Sequence, residues 1–249
     1  MVKSAVRVVE VLEFVSATPS GASHSEIAAG LGIPKSSLSG LLQDLRETGY
    51  LDFSPRSRVY IMGPQVLHLA TAFNRQFDLV QVGASAVAEV VEKVNESCKL
   101  AILDGQNILV VYNKSASQQL VSTMQMGDRA PWHVTAAGKA MIAFLSLEER
   151  QRAVDAIRWE RFTEKSNCDP EKLVAELDAI VQGAAATSVE EYIRGQVTMA
   201  YPIRESSGHA IAAMSVAAPA IRWDPSLAER CNAALAQATS KLAMRLGFR

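Results

Sequence analysis

The chain has 249 residues, with 25 Lys and Arg against 26 Asp and Glu and a formal net charge of −1. Such a length holds a small domain beside a medium one, and near-neutrality excludes a globally basic nucleic-acid binder, so any attraction to phosphate must come from local placement of charge. Cys98, Cys168 and Cys231 are odd in number and lack metal-ligand spacing, and no apolar run approaches the ~20 residues of a membrane span. A reduced, cytoplasmic chain with no metal, no other cofactor and no membrane contact is therefore expected.

Val8, Val11, Leu12 and Val15 recur at helical spacing, which predicts an amphipathic helix over 4–17, ended by Thr18-Pro19-Ser20-Gly21. Ser23 stands three residues before Glu26, a capping-box pair that opens a short helix at 24–30. Gly30-Leu31-Gly32-Ile33 reads as a glycine turn, and Pro34 starts a third helix over 34–48. On it Leu38, Leu41, Leu42 and Leu45 form the inward stripe, leaving Ser36, Ser39, Gly40 and Gln43 outside. A solvated face would carry Lys and Glu; a small, polar face suits close approach to a large surface such as the DNA major groove. Segments 50–53 and 59–62 read as two strands around the basic turn Ser54-Pro55-Arg56-Ser57-Arg58. Helix, helix, turn, helix and basic hairpin in this order predict a winged helix-turn-helix domain over 1–63. Its groove contacts are assigned to Ser36, Ser37, Ser39 and Gln43, and its phosphate contacts to Lys35, Arg56 and Arg58.

Gly63-Pro64 breaks the wing, and 65–77 has the periodicity of a connecting helix, placing the linker at 64–77 and a larger domain at 78–249. A helix over 78–96 leads into strands 98–103 and 108–112 around Asp104-Gly105-Gln106-Asn107, with a third strand expected near 118–125. There Leu120, Ser122, Met124 and Met126 alternate to one face, which is plain core or the wall of a ligand cavity. Thr135 caps a helix over 136–145 whose first amides, at Ala136 and Ala137, suit a carboxylate, while Lys139 reads as solvated or packed on its stem. Helices 147–157 and 170–182, a segment 185–191, strands 196–204 and 209–217, and a last helix 225–246 behind Asp224-Pro225 complete an α+β chain.

The run SHSEIAAGLGIPKSSLSGLLQDLRETGYL, followed by RVYIMGPQVLHLA, is similar to the head of the isocitrate lyase regulator (IclR) family. Downstream, GDRAPWHVTAAGKAMIAFL, VEEYIRGQVTMAYPI and AIAAMSVAAPAIRW resemble, in order, the family's GAF-like effector-binding domain. The resemblance implies a transcriptional regulator of catabolic genes, repressing or activating, that binds an operator in double-stranded DNA as a homodimer or dimer of dimers. It also implies a small organic acid as effector, received by the backbone of Ala136 and Ala137. In family members that take small keto acids, an Asp, a Cys and a Ser reach the ligand, and the matching positions here are Ser188, Thr198 and Ser215. Without the Asp and the Cys, a larger or aromatic acid is the better expectation, contacted by Ser122, Met124, Met126, Ala136, Ala137, Ser188, Thr198 and Ser215.

The rival reading is a GAF-like enzyme or interaction module without DNA binding. His133, Thr135 and Lys139 are close in sequence, yet nothing supplies a nucleophile, a base and an orienting group together. No catalytic role is expected.

Overall fold

The computed structural model describes residues 3–76, 78–119 and 124–248. The chain divides into two compact units, Met1–Gln76 and Phe77–Arg249. In the first, α1 (Lys3–Ser16), α2 (His24–Leu31) and α3 (Lys35–Glu47) precede a hairpin of β1 (Leu51–Ser54) and β2 (Val59–Met62), and α4 (Gln65–Gln76) follows. Both halves of the capping box form, Glu26 N–H donating to Ser23 Oγ and Ser23 N–H to Glu26 Oε2. Gly32 then ends α2 in the left-handed conformation, φ +61°. Pro34 stands one residue outside α3 rather than inside it, at ψ 135°, because the residue that enters the helix keeps an extended backbone. Val11, Val15, Ile27, Leu38, Leu42, Leu45 and Leu51 make the core of this winged helix-turn-helix unit, and Leu41 is only half-buried at its edge.

The second unit is built on one antiparallel sheet in the order β5-β4-β3-β8-β7-β6. Its strands are β3 (Ser97–Asp104), β4 (Asn107–Lys114), β5 (Arg129–Pro131), β6 (Ala186–Val189), β7 (Gln196–Arg204) and β8 (Ala210–Pro219). Side chains alternate across a strand, so the register separates two faces. Cys98, Leu100, Met199, Met214 and Val216 lie on one and pack against α5 (Asp78–Val94) and α9 (Pro225–Arg245). Ala101, Ala200 and Ala213 lie on the other, beneath α6 (Ala136–Ile142) and α8 (Pro170–Val181); α7 (Leu147–Asp155) joins these two helices in the chain. This is the GAF-like half of the α+β architecture.

Of the strand expected near 118–125, residues 118, 119, 124 and 125 are not strand and 120–123 lie outside the described residues; β5 pairs with β4. Gly127, at φ +94°, turns the chain there, and Asn113 of β4 holds the turn by donating to Gln125 Oε1 and accepting from Met126 N–H. The helix expected over 136–145 stops at Ile142, nearly a full turn early.

The start of α6 is set by close approach. Thr135 Oγ1 accepts from Gly138 N–H, and the glycine lies on the 3₁₀ turn Trp132–Val134 so closely that a Cβ would sit 2.3 Å from the Trp132 carbonyl oxygen. Gly138→Ala is expected to destabilise the chain by about 1–3 kcal/mol, since the two nearest clashing atoms, the Trp132 carbonyl oxygen and Cα, are backbone, whereas the better helix propensity of alanine alone would stabilise it. Urea unfolding of the two proteins measures the difference.

Candidate functional site

The inner face of the sheet carries short side chains, of which Ala101, Ala200 and Ala213 pack with Ala136, Ala137, Ala140 and Met141 of α6. Lys99 and Ala101 on β3, Ser215 and Ala217 on β8, Thr198 on β7 and Ser188 on β6 share this face through the pairs Lys99 with Ser215, Thr198 with Ala217 and Ser188 with Thr198. Between them and Val134, Thr135, Ala136 and Ala137 lies a small cavity. Ile108 and Val110 close one side and Met124 another; Tyr192 and Ile193 line it from the loop between β6 and β7, and Gln196 from the start of β7.

Six of the eight residues expected at this site therefore meet: Met124, Ala136, Ala137, Ser188, Thr198 and Ser215. Met126 does not join them. It is 54% exposed in the turn that replaces the expected strand, so the alternation that put it beside Met124 does not apply. Ser122 lies outside the described residues. Ser188 is committed as well as present, since its hydroxyl donates to the Val134 carbonyl at 2.8 Å and ties β6 to the start of α6.

Sequence reasoning missed Lys99 and the 192–196 loop. Lys99 is 6% exposed, and burial holds its ammonium down to about pKa 8, against the opposing pull of the Asp128 carboxylate. The available signal was a lone cation in the apolar run SCKLAIL, two residues from Ala101 and hence on the same face.

The loop is fastened from below. Lys139 is 1% exposed, and its ammonium contacts Glu191 Oε1 at 2.7 Å and Oε2 at 2.9 Å, Glu176 Oε2 at 2.7 Å, and the Thr187 carbonyl at 3.3 Å. This corrects the expectation of a solvated lysine: the residue is one turn into α6, but that turn faces inward. Burial raises the Glu191 pKa even though Lys139 acts in the opposite direction. Thr163 Oγ1 donates to the Glu190 carbonyl and Ser166 Oγ to that of Glu191, completing the support.

No nucleophile and base meet among His133, Thr135 and Lys139. The Thr135 hydroxyl points to the carbonyls of Pro131 and Trp132. His133 is packed against Trp132, Trp159 and Phe162, and burial, then the Lys139 charge, pushes its pKa down to about 4. Its Nε2 has no hydrogen-bond partner among the described residues.

In the first unit Lys35, Ser36, Ser37, Ser39 and Gln43 are all exposed on α3, and Arg56 and Arg58 are exposed in the wing turn. Ser39 Oγ donates to the Lys35 carbonyl and meets His24 Nε2 at 3.1 Å, which couples the outward face of α3 to the start of α2. Gln43 donates its amide to Glu47. An added Cβ at Gly40 would meet nothing within 4 Å, so the face is open there.

Residues 4–55 match the IclR helix-turn-helix domain, and residues 71–244 match the bacterial transcriptional regulator IclR C-terminal domain. The chain belongs to the IclR family. It is an IclR-type DNA-binding transcriptional regulator, similar to the HTH-type transcriptional regulator BhcR of Paracoccus denitrificans, with 26% identity covering 98% of this chain and 87% of that one. Two solved structures share its fold. Thermotoga maritima IclR has a TM-score of 0.82 at 20% identity, with full coverage of both chains. An IclR homologue of Microbacterium hydrocarbonoxydans, complexed with 4-hydroxybenzoate, has a TM-score of 0.84 at 23% identity over 96% of each chain. No helix among the described residues is long and apolar enough to cross a membrane.

In this IclR-family chain the buried ion cluster supports the effector domain from within. Lys139→Met leaves Glu191 buried with Glu176 nearby and no cation, and is expected to destabilise the protein by roughly 3–5 kcal/mol. Because the Glu191 pKa is already raised, protonating it relieves the penalty. Denaturant midpoints of the variant should therefore approach the wild-type value as pH is lowered, and a constant difference would contradict the assignment.

Proposed function

We propose that the chain binds an operator in double-stranded DNA through a pair of winged heads in a homodimer or dimer of dimers, and that a small organic acid in the sheet cavity modulates that binding. The observation that carries the effector half is the chemistry of the wall: the hydroxyls of Thr198 and Ser215, the first amides of α6 at Ala136 and Ala137, and no acidic side chain among the described lining residues. Such a wall suits an anion better than a cation. The ligand contacts are Met124, Ala136, Ala137, Ser188, Thr198 and Ser215. The 4-hydroxybenzoate bound by the M. hydrocarbonoxydans homologue supports an aromatic acid, as does the replacement of the Asp and Cys that the resemblance associates with keto acids.

On the DNA side, Ser36, Ser37, Ser39 and Gln43 face the groove, and Lys35, Arg56 and Arg58 hold phosphates. Gly40 adds no bulk, so α3 lies close to the bases. With two phosphate contacts per wing, Arg56→Ala with Arg58→Ala should lower the salt slope of operator binding by about 2 per head, because each lost contact leaves its counterions in place. Titration of a duplex selected from a random pool, at several salt concentrations, measures the slope; an unchanged slope removes the wing from the interface.

Purified protein should be stabilised by organic acids and should change its affinity for the same duplex when they are bound. A ligand present at about 100 times its dissociation constant raises stability by about 2.7 kcal/mol, readily seen as a thermal shift. Acids that stabilise the protein without altering operator affinity would sink the regulatory half of the reading.

A further inference from the structure

The outward face of α3 does not end at Gln43. Arg46 follows Gln43 by three positions and Ser39 by seven, so the three side chains line one flank of the helix. That flank borders the wing hairpin, where Ser39, Gln43, Arg46, Glu47, Asp52 and Tyr60 line a groove. Arg46 is exposed, and its Cζ stands 5.5 Å from the centroid of the Phe53 ring. The ring is itself held, because Phe53 of β1 faces Tyr60 of β2 in register and the two rings lie 5.0 Å apart. Glu47 accepts from the Gln43 amide and Asp52 from the Phe53 N–H, and among the described residues Arg46 pairs with neither carboxylate. A guanidinium lying over a ring has its plane fixed and its edge of N–H donors turned outward.

We propose that Arg46 reads a guanine in the major groove, donating to O6 and N7 from the plane that Phe53 sets. The inference rests on the reading of α3 as the groove-facing helix. A base suits this position better than a phosphate does. The carboxylates of Glu47 and Asp52 oppose another anion in the groove, whereas guanine is neutral and presents two acceptors to a planar fork. Phe53 is then a positioning residue, which touches no base and sets the angle of the fork. Arg46 gives a bidentate donor to a face that otherwise offers short hydroxyls and one amide.

Selection of duplexes from a random pool by the full-length protein, beside the same selection by Arg46→Gln, tests this. Wild-type sites carry a guanine at one fixed position of each half-site, favoured by about 5- to 150-fold, the range of a bidentate base contact. Arg46→Gln loses that preference alone and keeps the wild-type salt slope, since no phosphate contact is lost. At that position 7-deazaguanine, which lacks the N7 acceptor, weakens wild-type binding and leaves the variant unaffected. Phe53→Leu reduces the same preference, and Phe53→Tyr, which keeps the ring, retains it. A variant Arg46→Gln that selects the wild-type sites overturns the proposal. So does one that binds every sequence more weakly with a salt slope lowered by about 1 per head, which makes Arg46 a phosphate contact. If the wild type selects no duplex, the reading of α3 falls and this inference falls with it.

Discussion

The two faces of the six-stranded sheet have unequal side-chain volume, and the effector domain depends on that inequality. Leu100, Met199, Met214 and Val216 fill the space to α5 and α9 completely, giving a dense core on one side. The same strands present Ala101, Ala200, Ala213 and Ala217 on the other side, with Ser215 and Thr198 between them. Side chains this short let α6 pack close, through Ala136, Ala137 and Ala140. The cavity lies at the start of α6, over Thr198, Ser215 and Ala217. What keeps α6 in place is its own N-terminal contact, with Gly138 against the backbone of Trp132 and Thr135 capping from below. The cavity is thus fixed by one large-small alternation along β3, β7 and β8 and by one glycine.

The 190–195 loop over this cavity is anchored by Tyr192, which packs against Phe162 and the inner core, and by polar contacts. Lys139 reaches it through Glu191, and Thr163 and Ser166 donate to its carbonyls. Glu190 takes a left-handed backbone, φ +58°, and its carboxylate accepts from Gly195 N–H and pairs with Lys165. Buried polar networks have few alternative arrangements of equal energy, because a half-satisfied one costs more than an apolar core. Tyr192, Ile193 and Gln196 are therefore presented to a ligand from a preformed support rather than from a loose strap.

Local rules were legible in the sequence; their tertiary use was less so. The capping box at Ser23 and Glu26, the turn at Gly32, the cap at Thr135 and the pair Asp224-Pro225 each depend on residues within four positions, and the structure realises them all. The hydroxyls at 188, 198 and 215 converge as family resemblance implied, because registers β6–β7 and β7–β8 carry them to one face. Alternation misled at Met126, where Asn113, distant in sequence, holds Gln125 and Met126 in a turn that no local pattern encodes. Lys139 and Lys99 show a further limit. Composition treats a lysine as surface unless its partners are known, and Glu176, Glu191 and Ser215 lie 37, 52 and 116 positions away from the lysines they adjoin.

Charge joins the two halves of the function. The first 63 residues hold six basic and six acidic side chains, so attraction to the phosphate backbone is limited to what α3 and the wing cluster locally. With few counterions to release, operator affinity has a small non-specific part, and a coupling of about 1–3 kcal/mol changes occupancy by a factor of about 5 to 150. In the proposed reading the coupling is reciprocal, so the operator must alter acid affinity by the same factor.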